Sequence, residues 1–446
     1  MKILIVGAGK LGVYLASFLE EKGHEVGIIE NDKDRLSRVL KYDTFNISLG
    51  DATNTNVLEE SNIEDTDVFI STTANGEMNM ILCLMAKKLG AKKTICICDN
   101  DRYLEHVEFM GEILNIDLII NPKLETARYI LREIYSPEVI RVDTIDHGKM
   151  RMVEMKVKKD DELAGKSLME LSNILPKSML VAGISRESKV IIPRGDDVIL
   201  EGDIIHLISS NDNFIKFFGR RNGIEPGETF FIIGGGLLTY FLVERLERFG
   251  HQVKVLEKNK RLLNLLRRDF PNCEAVYDEG FDINVLEKED ITDYENLILL
   301  SKTDEVNMTL SQIAKNIGVK RVYANIYSKK ILEDISQNYI DLAFSEQDVV
   351  LNIIKNFIET SQSMEDLTID TLKNISKSKI KIEEVVVEKG SEYVNQLISD
   401  ISIPKEKLIA FVSRKNKILI PNGDNVLKPK DVLIIISKRG EKCLKN

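Results

Sequence analysis

Short apolar runs alternate with segments of helical spacing along the first 135 or so residues. The runs predict strands at about 2–6, 26–29, 45–49, 67–71, 93–98 and 117–120. Strands that alternate with helices in this way form a parallel sheet with helices on both faces. Ser136-Pro137 ends the pattern, and from there to about residue 221 the chain reads as short strands with few helices. The sequence therefore predicts a doubly wound α/β domain followed by a smaller module.

The same design then begins again at residue 230. Phe230-Phe231-Ile232-Ile233 is a second apolar run that leads into glycines, so that Gly7 corresponds to Gly234 and Glu30 to Glu257. A repeat that persists over about 220 residues is far too long for a solenoid unit. The predicted fold class is α/β with two tandem repeats, each a Rossmann-like domain followed by a small α+β domain. The predicted domains are 1–135, 136–222, 223–360 and 361–446.

The first thirty residues contain the strongest candidate for a ligand site. The strand at 2–6 leads directly into Gly7, Ala8, Gly9, Lys10, Leu11 and Gly12, and a helix and a second strand follow, ending on Glu30. This is the order and spacing of a dinucleotide-binding βαβ unit. The glycines permit a sharp turn, close approach of a pyrophosphate and tight packing of the helix. The helix N-terminus faces the phosphates with its partial positive charge.

Glu30 lies where a carboxylate can accept hydrogen bonds from both ribose hydroxyls. The same charge would repel a 2′-phosphate, which favours NAD or ATP-like ligands over NADP. The alternative is a turn that keeps its glycines for packing and binds nothing.

Two polar loops follow the third and fourth predicted strands, at the edge where doubly wound sheets bind ligands. The candidate ligand-binding residues in these loops are Asp51, Ala52, Thr53, Thr73, Ala74, Asn75 and Glu77.

The second copy departs from the first. Thr239 replaces Gly12, which keeps the helix from approaching the strand as closely, and Ser301-Lys302 replaces Thr73-Ala74. The candidate residues of a second site are Gly234, Gly235, Gly236, Leu237, Leu238, Glu257, Glu279 and Ser301. We expect this site to be either altered in its ligand preference or empty.

Composition and charge narrow the function classes. Lys and Arg number 61 against 71 Asp and Glu, a net charge of −10, and no basic stripe is available for nucleic acid. The longest apolar runs fall far short of the ~20 residues of a membrane-spanning helix, and no signal segment precedes the first strand. We therefore expect a cytosolic protein. Its cysteines, Cys83, Cys96, Cys98, Cys273 and Cys443, lack a C-x-x-C spacing and are expected to be buried thiols.

At this point the chain resembles the TrkA family, cytosolic regulators of Trk/Ktr potassium-uptake systems built from tandem RCK (regulator of potassium conductance) domains. The resemblance covers essentially the whole chain. It is carried by the glycine motif at 7–12, Glu30, Gly50-Asp51-Ala52-Thr53, Thr73-Ala74-Asn75 with Glu77 and Asn79, and the Pro-x-Gly-Asp endings at Pro193 and Pro421.

The resemblance implies RCK N-type domains at 1–135 and 223–360 and RCK C-type domains at 136–222 and 361–446. It also implies binding of NAD(H), or alternatively ATP/ADP, and assembly into a homo-oligomeric dimer or tetramer ring. The partner would be an integral-membrane potassium-translocating subunit (TrkH/TrkG/KtrB-like), which places the protein on the inner face of the cell membrane. The family's fifth strand commonly ends Ile-Ala-Arg, whereas this chain has Cys96-Ile97, so Arg102 or Lys10 would have to supply the positive charge near phosphate.

The sequence favours a binding module over an enzyme. A dehydrogenase needs a proton-handling residue beside the nicotinamide, and the histidines supply no clear candidate. His24 and His251 occupy equivalent Gly-His turns away from the ligand edge, and His106, His147 and His206 lie in no recognisable constellation. Asp196-Asp197 and Asp203 recur as Asp424 and Asp431 and are interpreted as turn residues rather than a metal site. We predict no catalytic and no metal-binding residues; an NAD-dependent oxidoreductase and a stand-alone nucleotide sensor are the alternatives.

Overall fold

The computed structural model describes residues 1–39, 45–99, 111, 113–136, 138–145, 150–176, 178–187, 189–278, 288–328, 339–362, 380–388, 391, 393–401, 404, 407–414, 417–419, 421 and 425–438. The chain divides into two compact units. The larger unit comprises residues 1–131 and 226–359, and the smaller unit comprises 132–225 and 360–446.

The first large sheet has six parallel strands. They are β1 Lys2–Val6, β2 Glu25–Glu30, β3 Asn46–Leu49, β4 Val68–Ser71, β5 Lys93–Ile97 and β6 Leu118–Ile120, in the order β3-β2-β1-β4-β5-β6. The helices are α1 Lys10–Glu21, α2 Lys33–Val39, α3 Thr55–Glu60, α4 Gly76–Lys88 and α5 Pro122–Tyr135. The strand order reverses between β1 and β4, and this switch point opens a crevice at the carboxyl ends of the strands.

The first small sheet has five antiparallel strands. They are β7 Val139–Ile145, β8 Met150–Lys156, β9 Leu180–Arg186, β10 Lys189–Ile191 and β11 Ile204–Ser209, in the order β10-β9-β11-β8-β7. Two helices accompany it, α6 Leu168–Leu171 and α7 Asn211–Arg221.

The second large sheet repeats the first. Its strands are β12 Thr229–Gly234, β13 Gln252–Glu257, β14 Glu274–Tyr277, β15 Asn296–Leu300, β16 Arg321–Asn325 and β17 Leu342–Phe344, in the order β14-β13-β12-β15-β16-β17. Its helices are α8 Leu237–Arg248, α9 Lys260–Asp269, α10 Asp304–Asn316 and α11 Glu346–Gln362. The second small sheet contains β18 Ile380–Val386, β19 Lys407–Arg414, β20 Lys417–Leu419 and β21 Val432–Lys438, in the order β18-β21-β19-β20. The predicted tandem α/β fold is confirmed.

Helix ends carry the expected signals. The side chain of Asn75 caps α4 by accepting a hydrogen bond from Met78 N at 2.8 Å, and Asn54 caps α3 in the same way. Pro122 opens α5 while the Asn121 side chain accepts from Leu124 N at 3.0 Å. Polar caps and an N-terminal proline satisfy donors that a helix cannot satisfy itself.

Within the larger unit, helix α11 of the second repeat contributes to the core of the first sheet. Val350, Leu351, Ile354 and Ile358 are buried in the same cluster as the inner face of β1 and β2. Their spacing puts them on one face of a helix, and the Tyr14 hydroxyl of α1 bonds to Asp348 beside them. The two large domains therefore share a core. The division into four domains remains a prediction.

Within the smaller unit, the two small sheets also pack on each other. One buried cluster joins Met152 and Ile208 of the first sheet to Phe411 and Ile434 of the second. In each unit, two domains of the same type therefore pack on each other.

A buried ion pair recurs in the two small sheets. Arg186 binds Asp203 through two nitrogens at 2.7 and 2.8 Å, and Arg414 binds Asp431 at the same distances. Both aspartates are 1% exposed. Each carboxylate also accepts a backbone N–H in the turn before its strand, from Leu200 at 2.8 Å in the first copy. Asp203 is thus a turn residue, as predicted; Asp424 lies outside the described residues.

We expect these pairs to make the smaller unit acid-sensitive. Burial raises the pKa of Asp203 and of Asp431, but the arginine and backbone donors outweigh it and hold both pKa values below the usual range. Because the folded-state pKa is lowered, the stabilisation is present above pH ~4 and is lost as the pH falls through the folded-state pKa. Asp203→Asn should cost about 1.5–3 kcal/mol at neutral pH, the range for hydrogen bonds to charged groups, and flatten the dependence of the urea midpoint on pH between about 5 and 2. An unchanged slope would contradict this account.

Other features predicted from sequence have clear outcomes. Cys83, Cys96, Cys98 and Cys273 are buried, as expected, and form no disulfide bond among the described residues; Cys443 lies outside them. Among the helices that the structure describes, none combines the length and apolar character needed to cross a bilayer.

Candidate nucleotide-binding site

The turn between β1 and α1 requires glycine at two of its three glycine positions. Gly7 has a φ of +103°, and a Cβ there would lie 3.2 Å from the backbone of Thr72. A Cβ on Gly12 would overlap the carbonyl oxygen of Gly7 and come within 2.9 Å of the Thr72 hydroxyl. Helix α1 therefore rests directly on the turn, as the sequence predicted.

Gly9 differs from both, because a Cβ built on it would meet no described atom within 4 Å. It is the N-cap of α1, and no side chain of the described residues caps this helix. The first backbone N–H groups of a helix lack intrahelical partners and carry partial positive charge. The open space over Gly9, facing uncapped donors, is the geometry that accepts a phosphate. Ala8 is buried, Leu11 is half-buried and Lys10 is exposed at the first turn.

Glu30 ends β2 at this edge and is 5% exposed. Its Oε2 accepts from Ala8 N at 2.7 Å, and its Oε1 accepts from Asn31 N at 2.9 Å and Asp32 N at 3.0 Å. A carboxylate has about four acceptor positions, so backbone donors use three of them. A ribose diol would have to use the remaining position or replace one of these bonds, a constraint that the sequence did not predict.

The loop after β3 carries a fixed negative charge. Asp51 Oδ1 accepts from Thr53 N at 2.9 Å and from Thr53 Oγ1 at 2.8 Å, which lowers the pKa of Asp51. Asp51 and Thr53 are exposed, while Ala52 between them is buried. The loop therefore presents a polar rim with one small apolar residue turned inward.

The loop after β4 is tied down by one buried side chain, Asn79. Its Oδ1 accepts from the Ser71 hydroxyl, from Thr73 N and from the Thr73 hydroxyl at 2.6–3.0 Å. Its Nδ2 donates to Thr73 O at 3.0 Å and to Ile97 O of β5 at 2.7 Å. Asn79 thus holds the loop against two strands and leaves Ala74 and Asn75 exposed at the crevice, with Glu77 half-buried in the first turn of α4.

Two residues important to this geometry were not among the predicted site residues. Asn79 was named among the residues that carry the family resemblance but was not predicted to belong to the site, and that resemblance was the available signal. Thr72, whose hydroxyl donates to Val6 O and Gly7 O at 3.1 Å, gave no signal in the sequence.

The turn of the second copy is packed differently from the first, although Gly236, which corresponds to Gly9, likewise has no described atom within 4 Å of an added Cβ. Gly234, Gly235 and Gly236 all have positive φ, between +59° and +96°. A Cβ at Gly235 would lie 2.5 Å from Leu300 and from the hydroxyl of Thr239, and that hydroxyl donates to Gly234 O. The Thr239 side chain therefore packs against the turn. In the first copy the corresponding residue, Gly12, has no side chain, and its backbone lies directly against the turn.

The remaining second-copy residues keep the framework. Glu257 accepts from Gly236 N at 3.1 Å, Lys258 N at 2.9 Å and Asn259 N at 3.0 Å. Glu30 also accepts three backbone donors, but its donor in the turn, Ala8 N, corresponds to the residue before Gly236. Leu238 and Ser301 are buried, and Leu237 begins α8. Arg102 and Glu279 lie outside the described residues.

A cavity of about 250 Å³ joins the first glycine turn to the second repeat. Its lining comprises Lys10, Leu11, Lys302, Tyr327, Glu346, Gln347 and Val350. Burial raises the pKa of the Glu346 carboxyl. The start of α1 and the start of α11 thus face a common space inside the larger unit.

One expectation about the histidines is wrong. His206 does lie in a constellation: its Nε2 is 2.9 Å from the Ser185 hydroxyl and its Nδ1 is 3.5 Å from Glu154. The three residues come from adjacent strands β9, β11 and β8, which sequence spacing cannot bring together. His206 is 2% exposed and on the same face of β11 as Ile208, which packs on the second small sheet. This burial suits a packing role.

His24 and His251 precede β2 and β13, at the edge opposite the glycine turns, as predicted. His106 and His147 lie outside the described residues.

Comparison with known families gives matches in both repeats. The TrkA-N domain model matches residues 3–122 and 230–346, and the TrkA-C domain model matches 152–219 and 382–441. The Trk system potassium uptake protein TrkA homolog of Archaeoglobus fulgidus is 30% identical over 441 residues, covering 99% of this chain and 98% of the relative. The Trk system potassium uptake protein TrkA of Halomonas elongata is 28% identical over 445 residues, covering 98% and 96%.

Solved structures with the same fold include the GsuK RCK domain, with a TM-score of 0.60 at 18% identity, covering 98% of this chain and 92% of that one. The GsuK channel bound to NAD gives the same TM-score and identity and covers 98% and 77%.

Proposed function

This chain belongs to the TrkA family, and we propose that it is a cytosolic nucleotide-binding regulatory subunit that gates a potassium-translocating membrane subunit. Its ligand is NAD(H), with ATP or ADP as the alternative, held in the first glycine turn and not consumed. Several copies form a ring on the cytosolic face of the membrane partner, and ligand binding changes the shape of that ring.

The observation that carries the nucleotide proposal is the contrast between Gly9 and Gly12. Gly12 is needed by the protein's own packing, whereas the space over Gly9 meets no described atom and faces the uncapped start of α1. Packing alone explains why residue 12 is glycine, but it does not explain why residue 9 is glycine. The GsuK structures were obtained bound to NAD and bound to ADP, and the same two ligand classes suit a turn of this geometry. The Glu30 carboxylate disfavours a 2′-phosphate at the ribose.

The cavity lined by residues of both repeats supports a nucleotide-driven change of conformation rather than passive nucleotide binding. A ligand changes a conformational equilibrium only through different affinities for the two states. A phosphate at the start of α1 would lie next to a space lined by Lys302 and Glu346 of the second repeat. Nucleotides that differ in charge would therefore interact differently with the second repeat, and that difference can be transmitted to the ring.

Glu30→Ala should weaken nucleotide binding, and Glu257→Ala is its matched control. Both substitutions release three backbone N–H groups, so their structural cost is similar. A hydrogen bond to a charged group contributes about 1.5–3 kcal/mol, so Glu30→Ala should lower NAD affinity about 10- to 150-fold beyond the effect of Glu257→Ala. Isothermal titration measures this difference. Equal losses of NAD affinity in the two variants would mean that Glu30 only stabilises the turn and does not contact the ligand.

Potassium flux tests the regulatory role. The wild-type chain, reconstituted in vesicles with its membrane partner, should change the flux several-fold between NADH, ATP, ADP and no ligand, and Glu30→Ala should respond to none of them. Flux that is identical with and without ligand would overturn the proposal. Loss of NADH absorbance on incubation with candidate substrates would favour an oxidoreductase instead.

A further inference from the structure

A cleft of about 770 Å³ lies in the smaller unit, between the segment that follows β8 and helix α7. Its lining comprises Glu138, Lys156, Lys158, Asp160, Asp161, Glu162, Ile174, Leu175, Pro176, Asn213, Lys216, Phe217, Arg220, Arg221 and Asn222. This volume is within the range of sites that enclose small organic ligands. None of these residues belongs to the nucleotide site.

The acidic residues of the cleft are largely committed to one cation, Arg221. Its guanidinium pairs with Asp161 at 2.8 Å, Glu162 at 3.3 Å and Glu138 at 3.4 Å. Arg221 is mostly buried and lies 5.5 Å from the centre of the Phe217 ring. This cluster fastens the segment after β8 to α7, and it leaves Asp160 as the one lining carboxylate outside the cluster.

Four further cations line the cleft without such compensation. Within the part of the chain that the structure describes, Lys156, Lys158, Lys216 and Arg220 form no ion pair and no side-chain hydrogen bond. All four are exposed, and Lys216 and Arg220 are four residues apart, on one face of α7. The lining carries five cations and four carboxylates, a net charge of +1, in a chain of net charge −10. The four unpaired cations of the cleft, rather than a large net charge, would attract an anion.

The wall between the cations is apolar. Leu175 and Phe217 are buried members of the core cluster behind the cleft, and Ile174 and Pro176 are half-buried beside them. Cations around an apolar surface fit a ligand with an anionic group and a compact apolar part.

We propose that this cleft is a binding site for a small organic phosphate that carries an apolar group. The phosphate pairs with the α7 cations Lys216 and Arg220 and with Lys158, and the apolar group lies on Phe217 and Leu175. The site is independent of the glycine turn, so it stands whether or not the nucleotide proposal does.

The probe is 1-naphthyl phosphate, which is mainly a dianion above pH ~7. Titration calorimetry on the full chain, saturated with NAD, should show binding of one probe per chain that weakens as salt is raised. 1-Naphthol, which lacks the charge, and inorganic phosphate, which lacks the rings, should each bind at least tenfold more weakly.

The variant Lys216→Ala/Arg220→Ala should lose at least tenfold in probe affinity. Its control, Lys189→Ala/Arg194→Ala, removes the same charge from exposed positions of the same small domain and should bind the probe as the wild type does. NAD affinity should be unchanged in both.

If the two double variants lost the same amount of probe affinity, the effect would depend only on net charge, and the proposed site would be wrong. Binding to phosphatidylglycerol vesicles through Lys216 and Arg220, with no binding of the soluble probe, would also overturn the site and would identify a membrane contact instead.

Discussion

Replacing Gly12 with alanine is expected to destabilise the first large domain and to abolish nucleotide binding. Alanine normally stabilises a helix interior by about 1 kcal/mol relative to glycine. Here the new methyl group would overlap the Gly7 carbonyl oxygen, which is backbone and cannot rotate away. Overpacked sites cost about 1–3 kcal/mol, occasionally more, and we expect about 3 kcal/mol or above. Urea unfolding and NAD titration measure the two effects.

Gly9→Ala is the matched variant, with the same added atom three residues earlier. Its Cβ meets no described atom within 4 Å, so stability should change by less than about 0.5 kcal/mol. Nucleotide affinity should nevertheless fall, because the methyl group takes the space in which phosphate approaches the backbone. Wild-type affinity in Gly9→Ala would show that the phosphate does not lie there, and a fully stable Gly12→Ala would contradict the packing of α1 on the turn.

Asn79→Leu is expected to have an effect of similar size. The substitution keeps the number and branching of the side-chain heavy atoms but removes five hydrogen bonds made by a fully buried side chain, to Ser71, Thr73 and Ile97. Each buried polar group left without a partner costs about 1–3 kcal/mol, so the loss should be about 3–5 kcal/mol. The loop after β4 also loses its anchor at the crevice, and nucleotide affinity should fall at least tenfold.

The control is Asn307→Leu in the second repeat. Asn307 accepts from Ser301 N and donates to Ser301 O and Asn325 O, so its loss should also reduce the free energy of unfolding. It should leave NAD binding at the first site unchanged. If both substitutions reduced NAD affinity equally, the effect would be a general loss of stability rather than a disordered loop.

The first turn shows how much of the site local sequence could predict. The positions of Gly7 and Gly12, the end of β2 at Glu30 and the polar loops after β3 and β4 all follow from spacing along the chain, and the structure places them at one sheet edge. The bonding state of Glu30 could not be predicted, because it depends on where the N–H groups of Ala8, Asn31 and Asp32 point after folding.

The glycine turn of the second copy shows what local sequence could not predict. The substitution of Thr239 for Gly12 was visible in the sequence, and it predicted a weaker approach of the helix. The structure adds that the Thr239 hydroxyl bonds to Gly234 O and, with Leu300, closes the space over Gly235. Side-chain packing from β15, more than sixty residues away, decides this.

The sequence by itself determined the tandem fold and the position of the first glycine turn, because strand and helix periodicities and a glycine turn are properties of neighbouring residues. Tertiary structure alone decided that α11 of the second repeat covers the first sheet and that Asn79 joins three segments of the crevice. It also decided that the acids near α7 are committed to Arg221 while four nearby cations are not. Each of these depends on contacts between residues far apart in the chain, and such contacts are fixed only when the apolar faces are buried together.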